Sequence, residues 1–303
     1  MKFYPEGIKY TERKFASLEE VVSAMQGGEI IEGRVLLCDK QHNLHIDLGV
    51  INGVIPRIEG ALGIDEGSVR DIALISKVNK PVAFRIKAIE YDSAQMPYAV
   101  LSRREVQLEC MQSYINKLIP GDIICARVTH LESFGAFIDI GAGINSLVPI
   151  DMLSVSRISH PSQRVAVGQI IQVVLKKRSG DLLTFSQKEL LGTWEQNASL
   201  FRVGETVTGI ARGVEEYGVF VELTPNLAGL AEPYEGVEVG QCVSVFIKSI
   251  NPEKMKIKLV IVEAFDETFK AAELKYYIDS NHIDSFHYSP YNCVKQIETD
   301  FSQ

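Results

Sequence analysis

The feature that most restricts how this chain can fold is a short aromatic phrase that occurs twice. Ser133 to Gly141 reads SFGAFIDIG and Glu216 to Thr224 reads EYGVFVELT, each with an aromatic residue, Gly, a small residue and Phe ahead of an alternating tail. In a regular strand, residues three apart point to opposite faces, so one ring of each pair would be lost to the far side. The intervening Gly135 and Gly218 relax that constraint, because glycine reaches backbone angles that permit a bulge or a sharp twist. The expectation is that Phe134 with Phe137, and Tyr217 with Phe220, face the same way and form two-ring platforms. The tails Ile138-Asp139-Ile140 and Val221-Glu222-Leu223 alternate, so the opposite face of each strand lines a core.

The rest of the chain follows the same strand order three times. IIEGRVLLCD, LHIDLG, INGVIP, KPVAFRIKAIE and YAVLSRRE form a first set. DIICARVTHL, the aromatic strand, INSLVPI, QIIQVVLKKR and LLTFSQKE form a second, with the long crossing DMLSVSRISHPSQRVAVG after its third strand. GETVTGIARGV, YGVFVEL, LAGLAE, QCVSVFIKSI and MKIKLVIVE form a third. A period of about 80 residues is too long for a solenoid unit and suits a string of small β domains. Five strands with one longer crossing predict closed Greek-key barrels, so the fold class is mainly β with connecting α-helices, in tandem five-stranded barrels. The first copy is degenerate, with His42 and His45 where the others carry rings of Phe and Tyr.

The expected domains are an arm and short helix over 1–27, a degenerate barrel over 28–102, a helical connector over 103–119, a barrel over 120–187, a second connector over 188–202, a barrel over 203–262, and an acidic helix and tail over 263–303. Residues 1–16 read as an extended arm. Ser17-Leu18-Glu19-Glu20 is a capping-box pattern that opens the short helix, and Gly27-Gly28 stops it. Leu108, Met111, Ile115 and Leu118 mark an amphipathic stripe in the first connector, and Phe265, Phe269, Ala272 and Tyr276 mark one in the tail.

Composition narrows the function classes. The net charge of −8 argues against tight binding of duplex DNA, which needs a basic face. The segment 263–303 supplies −5 of it, with eight acids and three bases. Single strands held by stacking remain compatible with such a balance. Five scattered cysteines without a Cys-x-x-Cys fit a reducing cytoplasm. No apolar run approaches the roughly 20 residues of a membrane span, and MKFYPEGIKYTERK lacks a signal-peptide core. No phosphate loop, nucleophile elbow or His-Glu-x-x-His occurs, so neither catalysis nor a cofactor is expected.

The phrases PGDIICARVTHLESFGAFIDIG, SRISHP and FSQKE of the second repeat, and GETVTGIARGVEEYGVFVEL of the third, resemble the S1 RNA-binding domain, an OB-fold barrel. The likeness is weaker in the first repeat and covers most of 28–262, and the three-repeat layout resembles the shorter S1 homologues of Gram-positive bacteria. The resemblance implies binding of single-stranded RNA, including mRNA, across strands two and three, in translation or RNA turnover, with the small ribosomal subunit as a further partner. It places the family's aromatic pair on Phe134 with Phe137 and on Tyr217 with Phe220. The family's His at the end of strand three is replaced by Pro56, Pro149 and Glu232, its acidic residue falls near Lys177 and Asn251, and its following Arg is approximated by Lys256.

Cations near these strands complete the candidate site. Lys254, Lys256 and Lys258 alternate with Met255, Ile257 and Leu259, which places three ammonium groups on one face, as a solvated surface or as phosphate contacts. Lys176, Lys177 and Arg178 end a strand beside Ser179-Gly180-Asp181, and Arg157, His160 and Arg164 lie in the long crossing. His160 before Pro161 either caps a turn or meets RNA. Cys38, His42 and His45, and separately His282, His287 and Cys293, fall short of the four ligands of a structural zinc site. A second reading is an adaptor whose barrels bind a ribosomal or RNA-decay protein.

Overall fold

The computed structural model describes residues 3–9, 14–180, 182–268 and 274–302. The chain divides into two compact units, Met1–Leu118 with Asp139–Asn145, and Ile119–Ile138 with Ser146–Gln303. In the first, α1 (Leu18–Gln26) opens where the Ser17 hydroxyl accepts from the Glu20 N–H and closes at Gly27. A barrel follows: β1 (Ile31–Cys38), β2 (Leu44–Asp47), β3 (Asn52–Ile55), the short α2 (Ile72–Ile75) in the crossing, β4 (Pro81–Tyr91) and β5 (Pro97–Ser102). Helix α3 (Arg103–Ser113) comes after it.

The second unit holds two more barrels. One consists of β6 (Ile123–Glu132), β7 (Gly135–Asp139), β8 (Asn145–Pro149), β9 (Ile170–Ser179) and β10 (Leu182–Ser186). After α4 (Trp194–Ala198) the other follows as β11 (Thr206–Glu215), β12 (Gly218–Thr224), β13 (Leu227–Ala231), β14 (Gln241–Asn251) and β15 (Lys256–Thr268). All three sheets close with the same order, first-second-third-fifth-fourth. Each closure is a short parallel contact between third and fifth strands, at Gly53↔Ala99, Leu147↔Thr184 and Leu230↔Lys258. Alternation sets the faces: Ile257 and Leu259 are buried while Lys256 and Lys258 are exposed. Among the described residues no helix is long and apolar enough to cross a membrane.

Several segments depart from the pattern read in the sequence. The expected tail helix begins as strand: β15 runs to Thr268, with Phe265 opposite Cys242, because the long β14 offers ladder partners for that backbone. Tyr276 lies in irregular chain, and Phe269 and Ala272 fall outside the described residues. Further on, β16 (Ser285–His287) pairs with β17 (Glu298–Asp300), and Phe286, Tyr288 and Phe301 join the core that includes Trp194 and the third barrel. The second connector is shorter than expected, with only α4 helical beyond a turn at Lys188–Leu190. The expected arm is no arm either, since Phe3, Glu6 and Phe15 are buried.

Helix α3 buries a different face from its apolar stripe. Arg103, Val106, Gln107 and Cys110 point inward while Leu108 is exposed. The two polar members are tolerated because they are satisfied. Arg103 donates to Glu6 at 2.6 Å and to the Gly60 carbonyl at 3.1 Å, and Gln107 donates to the Ala142 carbonyl and accepts from the Leu62 N–H. Glu6 also takes Lys77 at 2.9 Å. Burial pushes the Glu6 carboxyl up, yet the Arg103 and Lys77 charges beside it outweigh that and hold it down at about 2. Neighbouring Asp139 is also buried, and burial and the Glu6 charge push it up to about 6.

A carboxyl depressed on folding stabilises the fold above its unfolded value near 4.5 and loses that contribution as pH falls toward about 2. Glu6→Gln leaves Arg103 buried without its counter-charge, so it is expected to cost about 3 to 5 kcal/mol at neutral pH. Urea unfolding at a series of pH values checks both points: the difference between wild type and variant should shrink below pH 4.5.

Candidate nucleic-acid interface

Each aromatic pair sits on a hairpin whose turn is only two residues, Ser133-Phe134 between β6 and β7, and Glu216-Tyr217 between β11 and β12. The first ring of each pair therefore leaves from the turn, not from the strand, and strand alternation does not govern it. The rings meet edge to face, Phe134 with Phe137 at 6.0 Å and 84°, Tyr217 with Phe220 at 6.1 Å and 87°. Phe134 is 53% exposed, Tyr217 64% and Phe220 39%, values that folding alone would not select for large rings.

The glycine between them is needed for closeness more than for a bulge. A Cβ on Gly135 would lie 2.5 Å from the Val148 carbonyl oxygen, and one on Gly218, whose φ is +152°, would collide with the Ala231 carbonyl oxygen. The third strand's backbone thus presses against the start of the second. The bulge itself is on the partner strand: Ala211 faces Val221 and Gly213 faces Phe220, which leaves Arg212 as the extra residue.

The register carries the platform of the third barrel to a cation. Gly213, Phe220, Leu230, Lys258 and Ser249 stand side by side across five strands on the outer face. Adjacent strands lie about 4.8 Å apart, so the Lys258 backbone is two strands from that of Phe220. Lys256 is exposed two residues along the same strand face. Lys254 is not part of this row. It belongs to a 3₁₀ turn, Pro252–Lys254, and Met255 at φ +47° separates that turn from β15.

In the second barrel Thr184 occupies the equivalent of Lys258, and the cation is one strand further, on Lys177 opposite Thr184. Its two neighbours project elsewhere. Lys176 is the bulged residue; it donates to the Met152 sulfur at 3.2 Å and lies 3.8 Å from the buried Glu189. Arg178 stands opposite the buried Leu183, on the other face from Lys177. In the crossing Arg157 is exposed. The His160 ring nitrogen Nδ1 accepts from the Ser162 N–H at 3.2 Å, which makes it the cap of the 3₁₀ turn Pro161–Gln163.

Arg164, expected in the same group of surface cations, is buried. Its guanidinium clamps Glu222 at 2.8 and 2.7 Å and donates to Ser154 at 3.1 Å, while Arg212 holds the same carboxylate at 2.9 Å. Burial pushes Glu222 up, but the two guanidinium groups outweigh it and keep the carboxyl below its ordinary value. Glu222 shares the outer face of β12 with Phe220, so the second barrel's crossing is fastened beside the third barrel's platform. The Ser156 N–H to Pro225 carbonyl bond (3.1 Å) and the Val155 N–H to Asn226 side-chain bond (3.0 Å) continue that seam.

Sequence reasoning missed His130. It lies on β6 with its ring 6.3 Å from that of Phe137 at 30° between planes, and its Nε2 is 2.7 Å from Glu132. The signal was available as spacing, because His130 precedes Phe137 by the same interval that separates Gly213 from Phe220.

The first barrel lacks a platform. Its hairpin turn spans 39–43, with His42 at φ +64°, and His45 stands opposite Leu37. The His45 ring is bound to Asp39 at 3.0 Å, and that hydrogen bond, with those of Asn43 and Gln41, holds the Asp39 carboxyl down at about 2. His282 is likewise engaged, with Asp122 at 2.7 Å and Asp284 at 3.3 Å. Among the described residues no group of three or more His, Cys, Asp or Glu side chains is arranged to hold a metal.

Comparison with known proteins finds relatives of this chain by sequence. The S1 RNA binding domain family model matches residues 117–179. Small ribosomal subunit protein bS1 of Staphylococcus aureus (strain COL) is 30% identical over 269 residues, which is 83% of this chain and 65% of that protein. The bS1 homolog of Bacillus subtilis (strain 168) is 29% identical over 276 residues, 85% of this chain and 69% of its own length. The chain's match thus spans just under two thirds of the staphylococcal protein. A crystal structure of a multidomain protein with nucleic acid binding domains from Streptococcus pneumoniae covers 78% of this chain and 74% of its own at 15% identity, with a TM-score of 0.25.

Because a methyl group at Gly135 has no room against the Val148 carbonyl, Gly135→Ala is expected to destabilise the protein by about 1 to 3 kcal/mol. Thermal unfolding reads the loss, and proton contacts between the Phe134 and Phe137 rings by NMR should weaken with it.

Proposed function

Since this chain is an S1-domain protein homologous to bacterial ribosomal protein bS1, we propose that it binds single-stranded RNA through its second and third barrels, in translation. The observation that carries the reading is the pair of solvent-exposed ring clusters, Phe134 with Phe137 and Tyr217 with Phe220, at equivalent turns of two barrels. Bases stack on these rings, each worth about 1 to 3 kcal/mol with little regard for sequence. Lys177, Lys256, Lys258 and Arg157 meet phosphates, while the two barrels in one chain raise the effective concentration of the second site. The action is binding without chemistry.

Messenger RNA and the small ribosomal subunit are the proposed partners, in the cytoplasm. Duplex DNA is not, because a chain of net charge −8 has too little basic surface to gain from counterion release along a duplex. The first barrel is given another role. Where the third barrel presents Phe220, Leu230 and Lys258, the first presents His45, its ring held by Asp39, followed by Val54 and Val100, with valine in the place of the cation, a row suited to contact with protein.

Fluorescence anisotropy of a mixed-sequence single-stranded RNA, with duplex DNA as control, tests the proposal. Phe134→Ala with Phe137→Ala is expected to weaken RNA binding by about 2 to 6 kcal/mol if both rings stack; unchanged affinity in a folded variant would remove the site. Lys258→Gln should reduce the slope of log affinity against log salt by about 0.7, the share of one phosphate on a single strand.

A further inference from the structure

We propose that His130 adds a third stacking ring to the second barrel, a subsite for one heteroaromatic base that the third barrel does not have. The inference rests on the RNA-binding reading and deepens it. His130 stands seven residues before Phe137 across the same two-residue turn that sets Gly213 opposite Phe220. Phe134 meets Phe137 edge-on, whereas His130 lies nearly parallel to it, at 30° and 6.3 Å. The three rings run as one continuous strip across the β6–β7 hairpin.

Folding gives little reason for this placement. The His130 side chain is 62% exposed and therefore buries little apolar surface. What its surroundings do is orient it. Glu132 is 2.7 Å from Nε2, and the adjacent Thr129 hydroxyl donates to the Phe137 carbonyl at 3.2 Å, which fixes the backbone beneath the second ring. Every base has a π-face, so an oriented, solvent-exposed imidazole beside an aromatic platform is a further surface for stacking.

The third barrel supplies the internal control. A Cβ built on Gly213 would lie 3.5 Å from Phe220, an ordinary contact, so that position is open and can accept a side chain without moving the strand. The first barrel has Leu37 at the corresponding place, opposite His45. The second barrel alone combines a ring there with a ring partner across the hairpin.

The test uses the full chain and a single-stranded RNA carrying 2-aminopurine, read by anisotropy for affinity and by fluorescence quenching for stacking, with thermal unfolding of each variant as a check on folding. In a Tyr217→Ala, Phe220→Ala background, His130→Ala is expected to weaken binding about five- to a hundredfold and to reduce quenching, while His130→Phe retains both. In a Phe134→Ala, Phe137→Ala background, Gly213→His is expected to strengthen binding about fivefold or more. The proposal is overturned if His130→Ala binds and quenches as its parent does, or if His130→Phe loses as much as His130→Ala, which would assign the effect to charge or hydrogen bonding. Lack of any gain from Gly213→His overturns the claim that a ring at this position holds a base. RNA binding absent from the wild type overturns the reading beneath it, a result distinguishable from these because it precedes any variant.

Discussion

The absence of room at Gly135 and Gly218 is the constraint on which most of the site depends. In both barrels the third strand's carbonyl, of Val148 or Ala231, occupies the space that a side chain on the glycine would need. That approach draws the hairpin into a two-residue turn and lets the turn aromatic lean over the strand aromatic. The same third strand closes the barrel by its parallel contact with the fifth, at Leu147↔Thr184 and Leu230↔Lys258. Ring placement and barrel closure are therefore one steric condition, met by one residue type.

Buried carboxylates organise what lies around the barrels. Glu6 in the first unit and Glu222 in the second each hold two cations, Arg103 with Lys77 and Arg164 with Arg212. Such groups contribute little net stability against apolar substitutes, because desolvation offsets the attraction. Their effect is on arrangement, since any packing that separates the partners leaves a charge stranded away from water. The N-terminal chain is fixed in the first unit this way, and the second barrel's crossing is fixed to the third barrel.

Features that repeat were legible in the sequence. The aromatic phrase, its glycine and the five-strand order recur, and recurrence separates Phe134 and Phe137 from ordinary core residues. Pairings between distant segments were not legible. Nothing local to Arg164 marks it as the partner of Glu222, which lies 58 residues away, and a lone arginine in a loop reads as a surface cation. Lys254 was misread because a single residue in the left-handed region, Met255, ends the alternation on which the reading relied. The tail was misread because a helical apolar stripe and a long strand partner competed, and the ladder offered by β14 won. His130 was not legible because it lies outside the repeated phrase, on the strand across the hairpin from Phe137, where the third repeat has Gly213.

If the platforms hold RNA as proposed, the bidentate grip of Arg164 on Glu222 also makes the second unit a gauge of length. Platforms joined by a loose tether would be bridged by oligonucleotides of many sizes, with affinity changing smoothly as the strand grows. Platforms fastened by a buried ion pair and a seam of backbone hydrogen bonds keep one separation. A strand too short to reach from Phe137 to Phe220 then gains nothing from the second platform, and the first nucleotide that completes the span gains nearly all of it. Affinity against strand length should accordingly rise as a step.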